Sequence, residues 1–144
     1  KTSGPPPTLK VAGFMELPGF IADCEIGFAG TGAYDRAKRA ADTLRMRLSD
    51  WSDDDVSIDL VGVNSVLRAG SLDAPPPAEL RVHVSARCKD AEMAQVVEDE
   101  IYTLTVSGPA GGCSVRSERR NRIEIVDGFI DPSLVKTNLR WSQS

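Results

Sequence analysis

Between residues 20 and 28 the chain alternates, with Phe20, Ala22, Cys24, Ile26 and Phe28 separated by Ile21, Asp23, Glu25 and Gly27. A period of two places successive side chains on opposite faces of a strand. A shorter apolar run over residues 9–15 precedes it. Leu17-Pro18-Gly19 between the two runs is a turn signal, so the pattern predicts a hairpin. The period then changes. Ala37, Ala40, Ala41, Leu44, Leu48 and Trp51 recur at spacings of three and four, while Arg36, Lys38, Arg39, Asp42, Arg45 and Arg47 take the other faces. That is an amphipathic helix of about five turns, ending at Ser52-Asp53-Asp54-Asp55. Val56, Ile58 and Leu60 restore the alternation and predict a strand reaching Val63. Residues 64–78 form a long loop containing Gly70 and Pro75-Pro76-Pro77. Leu80, Val82, Val84 and Ala86 then alternate with Arg81, His83, Ser85 and Arg87, the cleanest strand in the chain. Asp90 is placed to cap a second helix, with Glu92 in its first turn, a buried stripe of Ala94, Val97, Ile101 and Leu104, and a stop at Gly108-Pro109. A glycine-rich segment leads to a last strand within residues 114–126, with Ile123 and Ile125 on one face.

The order is strand, strand, helix, strand, strand, helix, strand. It predicts an α+β two-layer sandwich: a ferredoxin-like βαββαβ core, both helices on one face, with an extra N-terminal hairpin strand. Residues 1–8, with Gly4-Pro5-Pro6-Pro7, are expected to be a proline-rich linker, residues 9–130 the sandwich domain, and residues 131–144 a polar tail. The proline run and a first residue that is not methionine lead us to expect more protein upstream.

Composition narrows the function classes. The 144 residues are 41% hydrophobic and 26% charged, as in an ordinary globular domain. A net charge of −4 with 6% aromatics argues against a nucleic-acid binder, and the basic stretch over residues 116–122 has no aromatic to stack on bases. No apolar run approaches the roughly 20 residues needed to span a bilayer, so no membrane association is expected. Three cysteines, Cys24, Cys88 and Cys113, are too few and odd in number for a disulfide framework, which points to the cytoplasm.

Two glycine-rich turns are the strongest candidates for chemistry. In Ser107-Gly108-Pro109-Ala110-Gly111-Gly112-Cys113-Ser114-Val115-Arg116, backbone N–H groups at Gly111 and Gly112 could form an anion-binding nest beside Arg116, whose guanidinium suits a carboxylate or phosphate. The same glycines serve equally as a helix stop and connector. Gly30 and Gly32, before the first helix, place backbone donors at its N-terminus, though a tight turn needs the same residues. Asn64 closes a strand end where ligand contacts are common. Glu25 and Asp23 lie opposite the apolar face and could form an acid–base pair; solvent-facing carboxylates are the plainer explanation. His83 is the one histidine, and without a neighbouring ligand pattern no metal site is expected. Cys113, beside glycines and arginines, is a candidate contact, a buried inert thiol being the plainer explanation. Cys24 and Cys88 look structural.

Three segments together resemble a known family: residues 5–11 leading to Gly19-Phe20-Ile21-Ala22-Asp23-Cys24-Glu25-Ile26-Gly27-Phe28-Ala29-Gly30, then Asp59-Leu60-Val61-Gly62-Val63-Asn64-Ser65, then residues 107–117. In order and spacing they resemble the later part of the large conserved domain of the acyclic terpene utilisation (AtuA-like) family, over residues 5 to about 135. Cys24, Cys113 and the Pro75-Pro76-Pro77 loop depart from its pattern. The resemblance implies breakdown of branched, terpene-derived acids carried as coenzyme A thioesters. No cofactor is implied beyond that thioester as substrate.

Two functions follow as expectations. In the first, the chain is a domain or subunit of an enzyme acting on a branched acyl-CoA. Gly30, Gly32, Asn64, Gly111, Gly112, Cys113 and Arg116 contact substrate, and Glu25 moves a proton. In the second, it is a non-catalytic assembly module that packs on an upstream domain, a partner subunit or copies of itself, as a homo- or hetero-oligomer.

Overall fold

The computed structural model describes residues 6–67 and 77–141, together with Gly4 and Pro75. Much of the expected linker and loop, and the last three residues of the tail, lie outside the described residues. The elements run β1 (Leu9–Ala29), α1 (Ala33–Arg47), β2 (Val56–Val61), β3 (Glu79–Cys88), α2 (Ala91–Ser107) and β4 (Cys113–Ile130), then a 3-10 turn at Pro132–Leu134. One four-stranded sheet has the order β2-β3-β1-β4. β3 pairs antiparallel with β1, from Phe20 opposite Cys88 to Ala29 opposite Glu79, and with β2, from Val56 opposite Ala86 to Val61 opposite Arg81. The architecture is α+β with two helices against the sheet.

The chain divides into two compact units. One comprises Pro18–Arg122; the other is formed by Lys1–Leu17 and Ile123–Ser144. In the larger unit the alternating pattern sets the core. Ala22, Cys24, Ile26 and Phe28 of β1 and Leu80, Val82, Val84, Ala86 and Cys88 of β3 are buried, with Leu60 of β2 at their edge. α1 contributes an alanine-rich stripe, Ala33, Ala37, Ala40 and Ala41, with Leu44. α2 contributes the stripe expected of it, Ala94, Val97, Ile101 and Leu104. Asp90 caps α2 by accepting from the Met93 N–H at 2.9 Å, as its position before the apolar stripe predicts. Arg47 and Glu100 pair between the helices at 2.6 Å, and Arg119 ties β4 to Glu98 of α2 at 2.9 Å.

The extra N-terminal hairpin strand is not formed: residues 9–29 are one continuous strand. The segment after Gly19 has β3 on one edge and β4 on the other, so neither edge is free to receive residues 9–15 folding back. Leu17-Pro18-Gly19 therefore lies within the strand and not at a turn. Gly19 has φ of 93°, and a Cβ there would lie 2.3 Å from the Cys88 carbonyl oxygen. Two other boundaries move. α1 stops at Arg47, short of Trp51, and β2 ends at Val61, where Gly62 turns the chain.

The smaller unit comprises two strand segments and the 3-10 turn, with Lys10 paired to Asp127 at 2.6 Å. Asp131 accepts from the Ser133 N–H, which holds its carboxyl below the usual range. Ile123 and Ile125 share a face of β4, as expected, yet both are 64% exposed.

Cys24 and Cys88 are buried and free, and burial pushes both thiols up, more than the Ser117 and Ala22 hydrogen bonds respectively draw them down. Cys113 is exposed. A thiol reagent at neutral pH should modify Cys113 alone in the native protein and all three after unfolding; peptide mass mapping checks this, and labelling of native Cys24 would contradict it. Because the folded state keeps these two protons where the unfolded chain has lost them, stability should decline as pH rises past about 8.5.

Candidate functional site

The sheet face away from the helices is polar because the strand period alternates. Antiparallel register makes a grid of it: Ser57 and Asp59 of β2, Arg81, His83, Ser85 and Arg87 of β3, Asp23 and Glu25 of β1, and Arg116, Glu118 and Arg120 of β4. His83 stands directly opposite Glu25 on one side and Asp59 on the other. Such cross-strand neighbours have Cβ atoms roughly 5 Å apart.

Most of these charges are already matched. His83 Nε2 meets an Asp23 carboxylate oxygen at 3.0 Å, and Arg120 donates to the other oxygen. Arg81 lies 3.5 Å from Glu25 and donates to the Ser114 carbonyl at 3.2 Å. The Ser57 hydroxyl donates to Asp59 at 2.8 Å. Arg116 differs. It meets no hydrogen-bond or ion-pair partner among the described residues, and it lines a shallow concavity of about 430 Å³ with Asp23, Glu25, Ser117 and Glu118. A guanidinium left unmatched beside partly exposed carboxylates is a binding group for a carboxylate, phosphate or polarised carbonyl oxygen.

The fold thus brings Glu25 and Arg116 to one concavity and sends the other sequence candidates elsewhere. Gly30 and Gly32 border a different hollow, with Tyr34, Asp35, Pro77 and Ala78. Asn64 is occupied in a turn, its side-chain oxygen accepting from the Leu60 N–H at 2.7 Å. The Gly111 carbonyl accepts from Arg36 at 2.9 Å. Gly112 is packed so closely that a Cβ there would meet Ile26 Cδ1 at 2.4 Å and Phe28 Cζ at 3.0 Å. Cys113 opens β4 and is exposed.

Arg36 was not singled out in the sequence, where it is one more charge on a polar helix face. It bonds the Ala29 carbonyl at 2.6 Å and the Gly111 carbonyl at 2.9 Å, and lies 5.9 Å from the Phe28 ring centroid. It therefore staples the two glycine-rich turns together. Arg81 and Arg120 were also missed as partners of Glu25 and Asp23. The alternation of Arg81 with Leu80 and Val82 marked the face it occupies, whereas Arg120 stands among polar residues; the strand register that makes each a neighbour of its carboxylate was not in the pattern.

Among the described residues no group of histidines, cysteines and carboxylates is arranged to hold a metal ion, and no helix is long and apolar enough to cross a membrane. The model of the acyclic terpene utilisation family, described as family protein AtuA, matches residues 1–141. No curated protein matches the chain.

Proposed function

The chain belongs to the acyclic terpene utilisation family, and from that premise we propose that it is a domain or subunit of an enzyme that breaks down branched acyl-CoA. The polar sheet face is its substrate surface. The observation that carries this reading is Arg116, an unmatched cation in one concavity with Asp23 and Glu25. Arg116 binds a carboxylate, a phosphate of the coenzyme or the thioester oxygen, and Glu25 moves a proton. Gly30, Gly32, Gly111 and Cys113 belong to the reading as outer contacts for the long coenzyme, whereas Asn64 holds a turn and Gly112 a packing contact. The helix–strand order and the sheet order β2-β3-β1-β4 support a ferredoxin-like core. The three free cysteines support a cytoplasmic location.

A thermal-shift titration with coenzyme A and branched acyl-CoAs tests it. Ligand at a hundredfold excess over its Kd should add about 2.7 kcal/mol, several degrees in Tm at this size. Arg116→Ala should weaken binding by about 1.5–3 kcal/mol, roughly 10- to 150-fold in Kd. Unchanged binding in a folded Arg116→Ala protein would remove Arg116 from the site.

A second reading, an assembly module, is favoured by the smaller unit. Phe14 is 79% exposed, Phe129 70%, Leu139 86% and Trp141 88%. A two-stranded ribbon is marginal alone in water, and so much exposed apolar surface marks an interaction site. This reading expects oligomers in sedimentation equilibrium that Phe129→Glu dissociates; a monomer at all concentrations would count against self-assembly.

A further inference from the structure

The same polar face carries a second chemical unit. His83 is held at Nε2 by one oxygen of Asp23, and the other oxygen is held by Arg120. An ionised carboxylate only accepts hydrogen bonds, so Nε2 carries the proton and Nδ1 of the neutral ring is left as an acceptor. An imidazole fixed in one tautomer by a carboxylate, itself anchored by a guanidinium, is the arrangement of an oriented general base. Both side chains are about one-quarter exposed, so solvent and solutes reach them. The groups facing His83 from the neighbouring strands are Asp23 and Glu25 on β1 and Asp59 on β2, with Arg81 two residues back on its own strand. Imidazolium formed there is matched by carboxylates.

We propose that His83 is a proton-transfer residue of this face, with Asp23 as its positioning residue, acting on the carbon next to the carbonyl of a branched acyl thioester. This rests on the acyl-CoA reading above. In the step, the substrate C–H bond breaks and an Nδ1–H bond forms, while the electron pair stays on the substrate as an enolate. Arg116, the unmatched cation of the concavity, is available to the enolate oxygen. The proton then returns to carbon or passes to solvent, and nothing is oxidised or reduced. The Asp23–His83 pair spans 60 residues of sequence and exists only in the folded sheet.

Because the chain has a single histidine, ¹⁵N NMR of the imidazole reads its tautomer without ambiguity. Wild-type protein should show the Nε2–H tautomer near neutral pH, and Asp23→Asn should lose that preference. The functional arm measures solvent deuterium entering 3-methylbutanoyl-CoA at the carbon beside the thioester. His83→Gln should slow exchange by at least about 100-fold while keeping the acyl-CoA thermal shift. Asp23→Asn should slow it by at least about 10-fold and displace its pH profile. An Nδ1–H tautomer in wild type overturns the proposal, as does exchange in His83→Gln within twofold of wild type. A thermal shift without wild-type exchange overturns the His83 role and leaves binding standing. No thermal shift with any acyl-CoA overturns the binding reading and this role with it.

Discussion

Phe28→Ala should cost about 3–5 kcal/mol and lower Tm by about 6–20 °C, the largest loss expected from any single side chain here. Phe28 is 2% exposed and ends the inward row of β1. Its ring packs beside Ile26 against Gly112, and Arg36 lies over its face on the way to the Ala29 and Gly111 carbonyls. Truncation removes the burial of the ring and leaves a cavity that the rigid sheet cannot close, so transfer and cavity terms add. The Arg36 contact is a minor part, about 0.5–1 kcal/mol for an exposed cation over an aromatic face. The expected pattern is specific. Amide exchange should accelerate first around residues 29–32 and 110–113, the turns that Arg36 joins, and Phe28→Leu should recover most of the stability. Chemical denaturation checks the magnitude. A loss below about 1 kcal/mol would mean that the ring is not a keystone of these turns.

Gly19→Ala should cost about 2–5 kcal/mol, although it adds one methyl group to a strand. Gly19 has φ of 93°, where an L side chain is strained, and its Cβ would lie 2.3 Å from the Cys88 carbonyl oxygen and 3.3 Å from the carbonyl carbon. The obstructing atoms are backbone, and the next residue, Phe20, is register-paired with Cys88. Relief requires pulling β1 from β3 at the start of their ladder. Gly13→Ala is the control, in the same strand with nothing closer than the Val126 carbonyl oxygen at 3.9 Å. It should change stability by no more than about 0.5 kcal/mol. Equal effects at the two positions would show that glycine entropy, rather than the close approach at Gly19, governs β1.

Leu17-Pro18-Gly19 shows why local signals mislead. Proline and glycine together are the usual mark of a turn, and the residues on either side alternate as two strands would. Whether the chain reverses or runs on depends on whether a free edge awaits it, and β3 and β4 occupy both edges of β1. Those partners arrive 50 and more residues later in sequence. Gly112 is a related case. Its neighbours in sequence made it a candidate nest for an anion, whereas Ile26 and Phe28, far earlier in the chain, make it a packing glycine.

The polar sheet face was half legible. Asp23, Glu25 and His83 stood out because they interrupt an apolar alternation, and Arg116 because it follows a glycine-rich turn. Nothing local distinguished Arg116, with no partner among the described residues, from Arg119, which bonds Glu98 and Gln95, or Arg120, which holds Asp23. Adjacent arginines on a strand point to opposite faces, and their partners come from different elements.

By itself the sequence determined the two helices and the strands from residue 20 onward, the buried stripes of β1, β3 and both helices, the Asp90 cap and the family resemblance, because periodicity, capping and motif order are local properties of the chain. Only the tertiary structure decided that residues 9–29 are one strand, that Glu25 and Arg116 share a concavity, and that Asp23 holds His83. Each of these depends on strand order and register. Register is chosen by burying one whole face of the sheet under two helices, a free energy summed over the core and written at no single position.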